Sequence, residues 1–146
     1  MGNLKLTSSA FSDGGEIPRE CGYKNGNKVP PLTVSGIPEG TESLTLIMDD
    51  PDAMGAVGKV WVHWVVWNLP TGAHINVMTG TKGMTDFGEV GYGGPAPPDK
   101  RHTYVFKLYA LDSILDLPEG STKSELENAM EGHILEQATL TGTYAP

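Results

Sequence analysis

From Ser43 to Asn68 the chain reads SLTLIMDDPDAMGAVGKVWVHWVVWN, two apolar runs parted by a loop that begins with acids. Leu44–Met48 is short and almost wholly apolar, the pattern of a strand covered on both faces. Val60–Leu69 is rich in Val and Trp, residues that suit a pleated surface, and carries His63 in its middle. A third run, His102–Leu111 (HTYVFKLYAL), repeats the design with a histidine at its start and Tyr104 two residues on. Runs this short, separated by many of the chain's 19 glycines and 11 prolines, restrict it to a β-rich fold with frequent turns.

The flanking segments fit that frame. Residues 3–11 partly alternate and read as an edge-like first strand, and Leu32–Val34 as a short one. Phe11 to Gly40 is otherwise loop, with FSDGGEIP, KNGN and VPPL as turn signals. A further strand is expected near His74–Met78. Gly91–Pro98 (GYGGPAPP) cannot be regular structure, because its three prolines lack N–H groups. Thr122-Lys-Ser-Glu125 is a capping-box pattern, starting a helix that carries Leu126, Ala129 and Met130 and stops at Gly132. His133–Leu140 is expected to form a second short helix, and Gly142–Tyr144 a tail. At 146 residues with no composition break, the prior is a single domain over residues 1–146. A chain of this size buries enough surface to do without disulfides or metal. The expected class is all-β with minor α.

Charge and cysteine usage remove several functions. A formal net charge of −8 disfavours sequence-independent attraction to nucleic acid or to an anionic bilayer. Lys100-Arg101 is the longest basic cluster. A lone Cys21 excludes an intrachain disulfide framework. Without a CxxC or a nearby histidine it reads as an inert thiol. The N-terminal MGNLKLTSSAFSDGG has no apolar h-region, and no stretch approaches about 18 apolar residues. The expectation is a cytoplasmic protein with no stable membrane insertion.

Alternation along a strand places Trp61, His63, Val65 and Trp67 on one side, and His102, Tyr104, Phe106 and Leu108 on one side of the later run. If both strands face one hollow, His63, His102, Tyr104 and the Asp50/Asp52 pair converge there. Histidine N–H groups donate to an anion such as phosphate while carboxylates hold the rings in orientation. Gly91, Gly93 and Gly94 would add backbone N–H groups in the manner of a nest. Each residue also has a structural explanation: a histidine satisfied in a core, Asp-Pro-Asp as turn chemistry, tryptophans as core. Two His and two Asp could bind zinc or iron, but no H-x-H, HExxH or CxxC spacing supports a metal. GxSxG is absent too. A hydrolase using the Asp/His cluster as acid and base stays open as a third reading.

Three blocks then resemble the phosphatidylethanolamine-binding protein family, also called Raf-kinase-inhibitor-like proteins, in its short bacterial and archaeal branch. They are Asp50-Pro-Asp-Ala53 followed by His63-Trp-Val-Val-Trp-Asn-Leu-Pro70, then Gly91-Tyr-Gly-Gly-Pro-Ala-Pro-Pro98, then His102-Thr-Tyr104 leading into Leu108-Tyr-Ala-Leu-Asp112. The resemblance covers essentially the whole chain. It implies an antiparallel β-sandwich with Greek-key connections, one or two short C-terminal helices, and an anion-accepting cavity at one end. Carried over by motif, Asp50, Asp52, His63, His102 and Tyr104 would line that cavity, with Gly94 and Pro95 on its rim. The implied function is non-enzymatic binding of a phosphate-like anion or phosphorylated head group, without metal or cofactor. The alternative is inhibition of a serine protease or kinase through surface loops, and a homodimer is consistent with the branch. Three departures stand out: Met54 replaces the proline that usually ends DPDAP, Ala96 stands where microbial relatives often have cysteine, and Thr103 where an arginine is common.

Overall fold

In the computed structural model, residues 3–71 and 79–146 are described. Three strands precede the central region: β1 (Lys5–Thr7), β2 (Gly15–Glu16) and β3 (Thr33–Ser35). Then come β4 (Ser43–Asp50), a one-turn helix α1 (Ala53–Val57), β5 (Trp61–Leu69) and β6 (Thr81–Lys82). The chain finishes with β7 (His102–Leu111), α2 (Lys123–Met130) and β8 (Ile134–Tyr144). The strand expected near His74–Met78 lies outside the described residues.

Six strands form one open sheet in the order β2-β8-β7-β4-β5-β6, and β1 pairs with β3 in a second, two-stranded sheet. Within the large sheet β4, β5 and β6 are successive antiparallel neighbours, and β7 returns by a long connection to lie beside β4. That is the Greek-key order. One pair departs from the expected antiparallel arrangement, since β2 runs parallel to β8.

The small sheet covers one face of the large one, where Leu6 and its neighbours meet Leu46, Met48, Trp64 and Phe106 in the main core. On the other face Leu126 and Met130 of α2 pack against Ile47, Val65, Trp67 and Leu111. Every residue of β4 is therefore buried, which is why its sequence shows no alternation. No helix among the described residues is long and apolar enough to cross a membrane.

The helical content differs from expectation. Residues 133–140 form no second C-terminal helix; they begin β8, the longest strand described. Ala138, Leu140 and Tyr144 point into the main core, a period-two pattern interleaved with threonines. Tertiary burial of that face overrides the weak helical signal. The other α-helix is instead α1, in the acid-bearing loop after β4, and a single 3-10 turn spans Arg19–Cys21. The capping box does form at α2: Thr122 Oγ1 accepts from the Glu125 amide at 3.2 Å and Glu125 Oε1 from the Thr122 amide at 2.9 Å. Thr122→Ala should lower stability by about 1 kcal/mol, read as a fall in the urea midpoint with an unchanged slope. An unchanged midpoint would mean that packing of Leu126 and Met130 alone holds the helix.

Candidate functional site

The site begins with a fault in strand register. Along β4 and β5, Met48 pairs with Trp64 but Asp49 pairs with Val62, leaving His63 as an extra residue. Such a bulge re-aims a side chain. Beyond it Val62 packs with Val65 and Trp67 on the α2 side, while Trp64 and Val66 lie in the main core. His63 turns to that main-core side, with its ring 5.1 Å from Tyr104 and 5.3 Å from Phe87, both edge-on. Simple alternation, which grouped His63 with Val65 and Trp67, is thus corrected by one bulge. β7 keeps its register with β8 from His102 to Ala110, so Tyr104, Phe106 and Leu108 share the main-core face as expected.

His63 and His102 open onto one cavity of about 200 Å³, whose walls also include Asp50, Trp61, Phe87 and Ala96. The His102 ring is buried between two carboxylates: Nδ1 lies 2.6 Å from Asp50 Oδ2 and Nε2 2.7 Å from Asp99 Oδ1. Carboxylates only accept, so both ring nitrogens donate and the ring is an imidazolium. Burial alone would lower its pKa. The hydrogen bonds and charges of Asp50, and then of Asp99, outweigh that and raise it. Asp50 divides its oxygens, since Oδ1 accepts the Asp52 amide at 2.9 Å. Turn chemistry and cavity wall are thus both served by one side chain.

His63 is set up in the opposite sense. Its Nδ1 lies 2.7 Å from the Gly93 carbonyl, so that nitrogen carries the proton. Burial pushes its pKa down, against the Gly93 carbonyl and the Asp50 charge. The ring is therefore neutral, with a lone pair on Nε2. Beneath the two imidazoles Tyr104 is fully buried, and its hydroxyl has no hydrogen-bond partner. The Ala96 amide acts on it without reaching hydrogen-bond geometry, while burial and then Asp50 raise its pKa. A buried unpartnered hydroxyl is costly to leave.

Asp52, Gly94, Pro95 and Tyr104, expected in or around the cavity, are not among its wall residues. Asp52 is exposed, and its Oδ2 accepts the Thr103 amide at 2.8 Å, fastening the start of β7 to the loop after β4. Gly94 is buried, and its amide donates to Asn27 Oδ1 at 2.7 Å. Pro95 accepts the Tyr23 amide at 2.9 Å and lines a neighbouring cavity of about 320 Å³ beside Arg19 and Lys24. Ala96 and Pro98 form the wall shared by the two cavities. The nest expected from the glycines does not form. The Gly91 and Gly93 amides are taken by the carbonyls of Gly83 and His63, because this proline-rich segment depends on glycine amides to attach it to β5 and to the loop around Asn27. Asp99, Trp61 and Phe87 went unrecognised in the sequence. For Asp99 a D-x-x-H spacing was the only available signal; Phe87 had none. Cys21 is buried, which raises its thiol pKa, in keeping with an inert role. No three His, Cys, Asp or Glu among the described residues are placed to hold a metal ion.

Comparison with known proteins gives a consistent picture. A family model described as phosphatidylethanolamine-binding protein matches residues 7–145. A UPF0098 protein of Methanothermobacter thermautotrophicus is 44% identical over 151 residues, covering 97% of this chain and 98% of its own. Among solved structures, the putative phosphatidylethanolamine-binding protein homologue CT736 of Chlamydia trachomatis aligns with a TM-score of 0.86 at 40% identity, covering 99% of this chain and 98% of that one. YbcL of E. coli, described as a new member of the mammalian family, aligns with a TM-score of 0.87 at 29% identity, covering 98% of each chain.

Proposed function

Since the chain belongs to the phosphatidylethanolamine-binding protein family, we propose that its cavity captures a small phosphate-like oxyanion and that the protein acts by binding rather than by turnover. One observation carries this reading. A cationic His102 and a neutral His63 line one small hollow beside Asp50, with the unpartnered Tyr104 hydroxyl buried close to both rings. His102 supplies the positive charge that an oxyanion needs. A cavity of about 200 Å³ is smaller than the 300–1,000 Å³ that houses drug-sized ligands. It suits a head group rather than a whole lipid.

The protonation pattern narrows the ligand. A fully ionised phosphate would bring bare oxygens against the Nε2 lone pair of His63 and against the Asp50 carboxylate. A phosphate or phosphomonoester that keeps one proton offers P–OH to His63 and an anionic oxygen to His102. A ligand without such a proton needs His63 itself protonated. A ligand that arrives without that proton, such as sulfate, therefore takes one up on binding, and its affinity should fall as pH rises, by up to about tenfold per unit; inorganic phosphate brings its own proton and should depend on pH less steeply. Calorimetric titration with sulfate and with inorganic phosphate at pH 5.5, 6.5 and 7.5, with His63 and His102 ring signals followed by NMR, tests this. Sulfate affinity independent of pH, or ring signals that stay put with both anions, would refute it.

A further inference from the structure

His102 Nε2 holds a bond that the binding reading has to account for. Its partner Asp99 is half-exposed, with 44% of the side chain in solvent, whereas the Asp50 side chain on the other nitrogen is 4% exposed and the imidazole itself 0%. Asp99 follows Pro98, which lines the cavity with His102, and sits on the irregular segment leading into β7. Resting on the anion reading above, we propose that Asp99 is a built-in competitor for the ligand. Its carboxylate occupies the His102 Nε2 donor that an incoming oxyanion takes over, so binding exchanges one anionic acceptor for another.

Three physical points support the exchange. A buried imidazolium N–H must keep an acceptor, and Asp99 supplies one when no ligand is present. Asp99 can leave cheaply because its carboxylate already faces water, while Asp50, buried and also holding the Asp52 amide, cannot. The charges point the same way: two carboxylates on one imidazolium leave the set at −1, which repels an anion, and departure of Asp99 leaves a neutral Asp50–His102 pair. A charge-assisted hydrogen bond is about twice as strong as a neutral one. The exchange therefore selects ligands with an anionic oxygen, such as phosphate, sulfate or carboxylate, over alcohols and amides.

The test is calorimetric titration of inorganic phosphate into wild type, Asp99→Ala and Asp99→Asn at pH 6, in low and in high salt. If Asp99 holds the donor about nine-tenths of the time, its removal should tighten binding about tenfold, with Asp99→Asn in between. The gain should persist at high salt, since a purely long-range charge effect would be screened away. In wild type the Asp99 carboxyl carbon and His102 Nε2 resonances should move together during the titration. Affinities within twofold of one another, a gain abolished by salt, or an Asp99 resonance unmoved while phosphate binds would overturn the competitor. Phosphate binding to none of the three proteins would instead overturn the anion reading beneath it.

Discussion

Asp50→Ala is expected to lower the stability of the fold by about 3 kcal/mol, the low end of the range for breaking a buried ion pair. The low end applies because Asp99 remains on the other nitrogen of His102. The substitution removes the Nδ1 partner at 2.6 Å and also the acceptor of the Asp52 amide. The loss should depend on pH in a defined sense. The His102 pKa is raised above its ordinary 6.5, so the stability it contributes is fully present below about pH 6.5 and fades as pH rises through the folded value. His63 runs the other way. Burial lowers its pKa, so folding is penalised as pH falls below about 6.5. Removing Asp50 takes away most of the favourable half. The difference between wild type and variant in urea denaturation should accordingly be larger at pH 6 than at pH 9. Equal differences at the two values would show that the His102–Asp50 contact does not carry charge.

Gly94→Ala is expected to have the larger effect and to prevent stable folding, with a loss of more than about 4 kcal/mol. A Cβ at this position would lie 2.0 Å from the Cys21 carbonyl oxygen and 2.9 Å from the Tyr23 amide nitrogen. Both are backbone atoms, so no side-chain rotation relieves the clash. Nor can the two segments part without loss, because Tyr23 N donates to the Pro95 carbonyl at 2.9 Å and the Tyr92 hydroxyl to the Cys21 carbonyl at 2.9 Å. Gly55→Ala makes the control. It lies in α1, meets nothing within 4 Å and needs no left-handed backbone, so alanine there should be neutral or stabilising by up to about 1 kcal/mol. Thermal melts of the two variants would decide the matter. A Gly94→Ala protein melting alongside Gly55→Ala would mean that the proline-rich wall can be displaced without harm. Gly94 is thus placed for close packing behind the cavity.

Much of this architecture was legible from residue types alone. Leu44–Met48 and Val60–Leu69 are strands because apolar and β-branched residues at that length have few other stable uses. The helix at Lys123–Met130 follows from local capping chemistry, and the shared face of Tyr104 and Phe106 from strand alternation. The failures have physical causes as well. A bulge at His63 leaves no mark in composition, since the residue that becomes unpaired is chosen by how β4 and β5 fit together, yet it decides which way the ring points. β8 was misread because its inward face only becomes apolar in effect once the main core is there to receive it.

Local patterning, then, determined the strands β4, β5 and β7 and where the long helix starts. Tertiary structure alone decided that the His63 ring turns to the main-core side, and that the glycine amides are spent on holding the wall. The reason is range. Periodicity and capping act over a few neighbouring residues, whereas these contacts join groups far apart in the chain or depend on the fit of two strands, and only the packed sheet sets their distances.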